Sequence, residues 1–146
     1  MKRRYSKMSD APVRIRTMRA RDVGAATRLW RRSSGLGQDT PATVLRFLRR
    51  NPGMSFVAFR GRTMVGAVLG GHDGRRGTLW HLAVAPSVRR SGLGTTLTNR
   101  VLAAQRAKGI RKTIILVLRD NPKAVSFWRR TGWTAMPVVA LSKPGR

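Results

Sequence analysis

The stretch Leu82-Ala83-Val84-Ala85-Pro86-Ser87-Val88-Arg89-Arg90-Ser91-Gly92-Leu93-Gly94 constrains this chain more than any other. Thr78 to Ala85 is apolar enough for a central strand, and Pro86 ends it. Leu93, Leu97, Val101 and Ala104 then recur at helical spacing, one side of a helix that closes near Gly109. A buried strand therefore runs through a short loop into a helix whose first turn is glycine-rich. The first N–H groups of a helix have no internal partners and carry the positive end of its dipole. Gly92 and Gly94 leave those amides without a shielding side chain, and Arg89 and Arg90 add full charges beside them. Such a turn is a cradle for a pyrophosphate.

Two other phosphate-binding patterns fail here. A dinucleotide fingerprint needs a third glycine where Leu97 stands, and it normally follows the first strand. A P-loop needs Gly-Lys-Ser/Thr, and the chain has Gly94-Thr95-Thr96.

The rest of the chain reads as alternating elements. Val13 to Met18 is a first strand; Asp22 is positioned as the N-cap of a helix with Val23, Ala26, Leu29 and Trp30 on one face. Thr40-Pro41 opens a second helix that Asn51-Pro52-Gly53 stops. Strands over Ser55–Phe59 and Met64–Gly70 flank the turn Arg60-Gly61-Arg62, and His72-Asp73-Gly74 turns the chain into Thr78–Ala85. Thr113 to Leu118 is a β-branched run expected to be a strand buried on both faces. Asn121-Pro122 opens a last helix to Gly132, and Trp133 to Leu141 supplies a final extended segment. The order β-α-α-β-β-β-α-β-α-β predicts an α/β fold: a mixed, mostly antiparallel sheet with a central parallel pair and flanking helices. Trp30, Trp128 and Trp133 are expected in the core.

With 146 residues the chain suits one domain, expected over 13–141, between a basic tail at 1–12 and a basic end at 142–146. The absence of cysteine excludes disulfides, thiolate metal sites and a thiol nucleophile, and His72 and His81 are too few for a histidine-built metal site. No metal is expected. Neither a membrane-length apolar run nor a secretory apolar stretch is present, so a soluble, cytoplasmic protein without membrane partners is the expectation. The charge is unusual: 31 Lys and Arg stand against five acids, all Asp, for a net +26. That field attracts anions of every kind: small-molecule phosphates, nucleic acid and acidic membranes alike.

Arg89 to Gly94 resembles the Arg/Gln-x-x-Gly-x-Gly/Ala turn of the GCN5-related N-acetyltransferases (GNAT), and Leu82-Ala83-Val84 with Pro86 resembles their approach strand. Asp120-Asn121-Pro122-Lys123-Ala124 and Phe127-Trp128 through Gly132-Trp133 are similar to that family's Asn-x-x-Ala and Phe-Tyr-x-x-x-Gly-Phe segments, and Val65-Gly66 to its Val-Gly. The resemblance spans 13–141, and the stretch from Gly35 through Asn51-Pro52-Gly53 to Gly71-His72-Asp73-Gly74 is most similar to small single-domain bacterial members of the YpeA-like kind. It implies acetyl-CoA as co-substrate, with pantetheine bonded to the backbone of Leu82 and Val84 beside Ala83. The pyrophosphate would lie on the amides of Arg89, Arg90, Ser91, Gly92, Leu93 and Gly94, and Asn121 would touch the pantetheine or thioester end. A primary amine of a small molecule or peptide would enter past the loops 33–40 and 72–75, and a homodimer is compatible with the family.

The chain departs from the family at the acid and the base. Trp128 stands where a Tyr usually protonates the thiolate, and the one tyrosine is Tyr5 in the basic tail. The base is often a Glu, and this chain has none. His81, one residue before Leu82, is the remaining candidate, because imidazole titrates near neutral pH; the alternative is a strand histidine packed beside Trp80. Asp39 and Asp73 fit either a cation-attracting role or an ordinary turn or cap. Beside the N-acetyltransferase stands a second reading, a GNAT-fold RNA- or ribosome-associated binding protein with little catalysis.

Overall fold

The structure is a computed structural model, and it describes residues 11–145 apart from 34, 37 and 38. Most of the basic tail at 1–12, Tyr5 included, lies outside the described residues, as does Arg146. The described chain divides into two compact units, one running through Leu116 and one beginning at Val117.

The first unit is built on a sheet of β1 (Val13–Thr17), β2 (Phe56–Arg60), β3 (Thr63–His72), β4 (Gly77–Val84) and β5 (Thr113–Ile114), in that spatial order. Its first three pairings are antiparallel, and β4 with β5 is parallel. Helices α1 (Val23–Arg31), α2 (Pro41–Arg50) and α3 (Leu93–Ala107) complete it. The mixed, mostly antiparallel α/β architecture predicted from the element order is the one observed, but the parallel pair lies at one edge of the described sheet and not at its centre, because β5 has a neighbour on one side alone.

Side-chain alternation on β3 explains how helices approach the sheet so closely. A β-carbon on Gly66 would lie 2.9 Å from Leu97 Cδ1, and one on Gly70 would lie 2.6 Å from Val101 Cγ1. Both glycines thus receive α3, whose Leu97 and Val101 are wholly buried. Each such burial contributes roughly 1.5–3 kcal/mol. A β-carbon on Gly71 would instead meet Phe47 and Asn51 of the α2 segment at 2.7 and 2.8 Å. The core beside α1 joins Val23, Ala26, Leu29 and Trp30 to Val44, Val57, Ala67, Leu69 and Ala83.

The Thr40-Pro41 signal is realised: Thr40 Oγ1 accepts from the Thr43 amide at 3.2 Å, with Pro41 in the first turn. Asp22 behaves differently from the N-cap expected of it. Its carboxylate makes no cap bond to α1; it accepts from the Arg19 amide at 2.7 Å and from both terminal nitrogens of Arg16 at 2.6 and 2.8 Å. A 3-10 turn at Ala20–Asp22 precedes α1, so the carboxylate folds back over that turn. The guanidinium on β1, a stronger donor than any free helix amide, holds it there.

Two strand expectations fail. Only Thr113 and Ile114 of the run 113–118 pair with β4, and Leu116 and Leu118 are 62% and 54% exposed. β-branched residues favour extended backbone but do not supply a neighbouring edge. No strand is assigned over 133–141, where Val138, Val139 and Leu141 are exposed. Pro137 within that segment cannot donate to a ladder.

The second unit holds α4 (Pro122–Arg130). Asn121 caps it, its Oδ1 accepting from the Ala124 amide at 3.2 Å. Trp128 packs edge to face on Phe127 and on Trp133, with ring centres 5.0 and 5.3 Å away. Of the three tryptophans expected in the core, Trp30 is there, at 4% exposure, whereas Trp128 and Trp133 are partly buried.

Candidate active site

Strand β4 is irregular where the sequence placed its chemistry. Ala83 pairs with Ala67 and Trp80 with Leu69, so His81 and Leu82 together face the single residue Val68. This is a β-bulge, which bends a strand and redirects its side chains. His81 sits at φ +54°, in the left-handed region that costs a side-chain-bearing residue about 1–2 kcal/mol. Regular alternation would not have set His81 this way.

The redirected imidazole meets two side chains from the α1–α2 region. Its Nε2 lies 2.7 Å from Asp39 Oδ2, and its ring centre lies 5.2 Å from that of Trp30, the planes inclined at 50°. The His81 side chain is 10% exposed and that of Asp39 48%. The Trp30 indole N–H is buried without a hydrogen-bond partner among the described residues. The packing alternative foreseen for His81, a contact with Trp80, is replaced by this one with Trp30. Forty-two residues separate Asp39 from His81, so no local pattern announced the pair.

Beyond Thr78, β4 has no ladder with β5, because the parallel register ends at Thr78 opposite Ile114. From Leu79 to Val84, including Leu82 and Ala83, β4 is paired through β3 alone among the described residues. A strand edge of this kind offers backbone donors and acceptors to an extended ligand.

The chain then enters the glycine turn. The Ala85 amide bonds the Val65 carbonyl at 2.8 Å, and a 3-10 turn over Pro86–Val88 buries Val88. Arg90 at φ +65° and Gly92 at φ +81° are both left-handed, and Gly92 is the N-cap of α3. Ser91 Oγ donates to the Val88 carbonyl, tying the turn to its own start. The Leu93, Gly94 and Thr95 amides are the first-turn donors that a helix leaves free, since its internal bonding begins with the Thr96 amide on the Gly92 carbonyl at 3.0 Å. No acidic residue stands in that first turn, so no internal anion competes for the amides. Arg89 and Arg90 are exposed and form no ion pair among the described residues. One expectation changes: the Arg89 amide is turned to the Pro86 carbonyl, at 3.4 Å, and is not a free donor of the cradle. A pyrophosphate fits the remaining donors by charge and by the hydrogen bonds they offer.

The other candidates have local duties. His72 Nδ1 accepts from the Gly74 amide at 3.0 Å, within the turn. Hydrogen bonds from the Arg76 and Arg75 amides hold the Asp73 carboxyl below the usual carboxylate range, and they mark it as a turn residue. Asn121 belongs to the second unit, where its oxygen is committed to capping α4. No group of three or more potential metal ligands occurs among the described residues. No helix there is long and apolar enough to cross a membrane.

Known proteins resemble the chain along most of its length. An acetyltransferase of Pectobacterium atrosepticum is 29% identical over 133 residues, covering 90% of this chain and 94% of that protein. The crystal structure of Ard1 from Thermoplasma volcanium superposes with a TM-score of 0.75 at 23% identity, covering 85% of this chain and 84% of that one. The aminoglycoside N-acetyltransferase AAC(6')-Iy, solved in complex with CoA, superposes with a TM-score of 0.76 at 18% identity, covering 92% and 95%. At these identities the two structures speak for the fold. The profile of the Acetyltransferase (GNAT) family matches residues 20–133, which is most of the chain, and the chain belongs to that family.

Proposed function

We propose that this protein transfers the acetyl group of acetyl-CoA to a primary amine of a small molecule or peptide. The observation that carries the reading is the continuity of three features on one segment. The unpaired edge of β4 leads into the left-handed turn, and the turn ends at the open first-turn amides of α3. In this reading pantetheine lies along Leu82–Val84, and the pyrophosphate rests on the amides between Ser91 and Gly94. Arg89 and Arg90 supply long-range attraction.

His81 is the base. The acceptor enters as an ammonium, R–NH3+, and gives one proton to the imidazole. The freed lone pair attacks the thioester carbonyl carbon, and a C–N bond forms as the carbonyl π pair moves to oxygen. Collapse breaks the C–S bond, and CoA leaves as a thiolate with that electron pair. The amide nitrogen loses its second proton and the thiolate gains one, both through solvent. An indole N–H at Trp128 cannot act as the acid, and a thiolate needs little help to leave. Holding amine and thioester in contact supplies much of the acceleration.

Calorimetric titration with acetyl-CoA tests the binding half. Thiol release with a panel of free amino acids, an alanine-initiated peptide and spermidine tests the transfer half. Absence of saturable acetyl-CoA binding overturns the reading. The net charge of +26 favours a second one, in which the fold serves as an RNA- or ribosome-associated binding protein. It requires more than about tenfold preference for one structured RNA over unrelated RNA at physiological salt. Non-specific attraction, equal for both RNAs, removes it.

A further inference from the structure

We propose that Asp39 is a positioning residue that holds His81 as the Nε2–H tautomer, so that Nδ1 is the nitrogen that takes the acceptor's proton. This rests on the role of His81 proposed above. A carboxylate only accepts hydrogen bonds, so the 2.7 Å contact between Asp39 Oδ2 and His81 Nε2 requires the hydrogen to sit on Nε2. In the neutral ring the lone pair then belongs to Nδ1.

The surroundings fit an orienting role. Three constraints set the imidazole: the left-handed backbone at the bulge, the Trp30 ring 5.2 Å away, and the Asp39 carboxylate. With 10% of its side chain exposed, His81 has little water to replace a lost partner. Asp39 is itself held from behind. Thr40 next to it is extended, at φ −80° and ψ 156°, and caps α2 with Pro41 following. That cap anchors the backbone from which the Asp39 side chain reaches β4.

Charge adds a second reason. The chain has five acids against 31 cations. One of the five, Asp22, is bound to Arg16, and Asp73 closes its own turn. A third, Asp39, lies on the histidine of the bulge. When Nδ1 takes the ammonium proton, the ring becomes an imidazolium in a strongly positive protein, and Asp39 gives that new charge an adjacent counter-charge. The proton balance is complete: R–NH3+ becomes R–NH2, and the neutral imidazole becomes imidazolium, still donating Nε2–H to Asp39.

The test needs two measurements on the full chain. The protein has two histidines, so a His72→Gln background leaves the His81 ring signals alone in a long-range 15N–1H spectrum of the neutral ring. The expected pattern is that of the Nε2–H tautomer, and Asp39→Ala should shift the ring toward a mixture. An Nδ1–H pattern with Asp39 intact overturns the proposal, whether or not any acceptor is known. In turnover with the panel amine giving most thiol release, Asp39→Ala should lower kcat by about tenfold or more and leave the KM for acetyl-CoA unchanged. Asp39→Glu should restore part of that loss. Full kcat in Asp39→Ala, beside a damaged His81→Ala, overturns the positioning role alone. Full kcat in His81→Ala overturns the base reading beneath it.

Discussion

The side-chain amide of Gln105 occupies the space that a β-carbon on Gly77 would need: its Cδ, Oε1 and Nε2 would each lie 2.6 Å from such an atom. Gln105 is fully buried on α3. It donates to the Gly71 and Thr78 carbonyls at 2.9 and 3.0 Å and accepts from Thr113 Oγ1 at 2.5 Å. One amide therefore ties β3, β4 and β5 together at the point where the parallel pair begins.

Gln105→Leu keeps the bulk but removes a donor from two carbonyls and the acceptor of a hydroxyl, so it should cost about 2–4 kcal/mol in urea unfolding. Gly77→Ala should also destabilise, by forcing that amide aside. Because the residues share one space, the double variant Gly77→Ala with Gln105→Ala should lose less than the sum of the single changes. Strict additivity would show that the two sites do not meet.

At the glycine turn, Gly94→Glu places bulk and negative charge among the first-turn amides of α3. Acetyl-CoA affinity should fall by at least tenfold, with the far-ultraviolet circular dichroism unchanged. Wild-type affinity in a folded variant would move the pyrophosphate elsewhere.

His81→Ala removes the proposed base and should lower turnover by about a hundredfold or more. Acetyl-CoA binding should barely change. Wild-type turnover would leave His81 a packing partner of Trp30.

Asp22 links stability to pH. Burial pushes its carboxyl up, but hydrogen bonds from Arg16 and from the Arg19 amide, with the charge of Arg16, outweigh burial and hold it below its ordinary value. A group with a depressed folded value stabilises the protein above its unfolded range, and that stabilisation is lost as pH falls through the folded value. Asp22→Asn should therefore cost about 2 kcal/mol at pH 7. The difference from wild type should shrink as the pH is lowered from about 4, the ordinary carboxylate range. A difference that stays constant to pH 2 would rule out the titration of Asp22 as its source.

The local signals were legible because they are properties of neighbouring residues. Thr40-Pro41 and Asn121-Pro122 mark helix starts through caps that need only three or four residues to form. Val84, Arg90 and Gly92 belong to a strand–turn–helix pattern that short-range geometry specifies almost completely. The family, and with it the mixed sheet, followed from that pattern and the order of elements around it.

What the tertiary structure decided depends on residues far apart in the chain. The β-branched run from Thr113 could state a preference for extended backbone, but the edge available on β4 determined that pairing stops at Ile114. Asp22 carries the composition of an N-cap, yet an arginine on β1 claimed its carboxylate, since a charged donor outcompetes a free amide. His81 stood out by its chemistry alone. Its left-handed backbone, its contact with Trp30 and its hydrogen bond to Asp39 exist only because a bulge in β4 turns it toward the segment between α1 and α2. Pattern along a sequence is read over a few residues, whereas a bulge and a contact spanning forty-two positions arise only when the sheet and its helices are packed together.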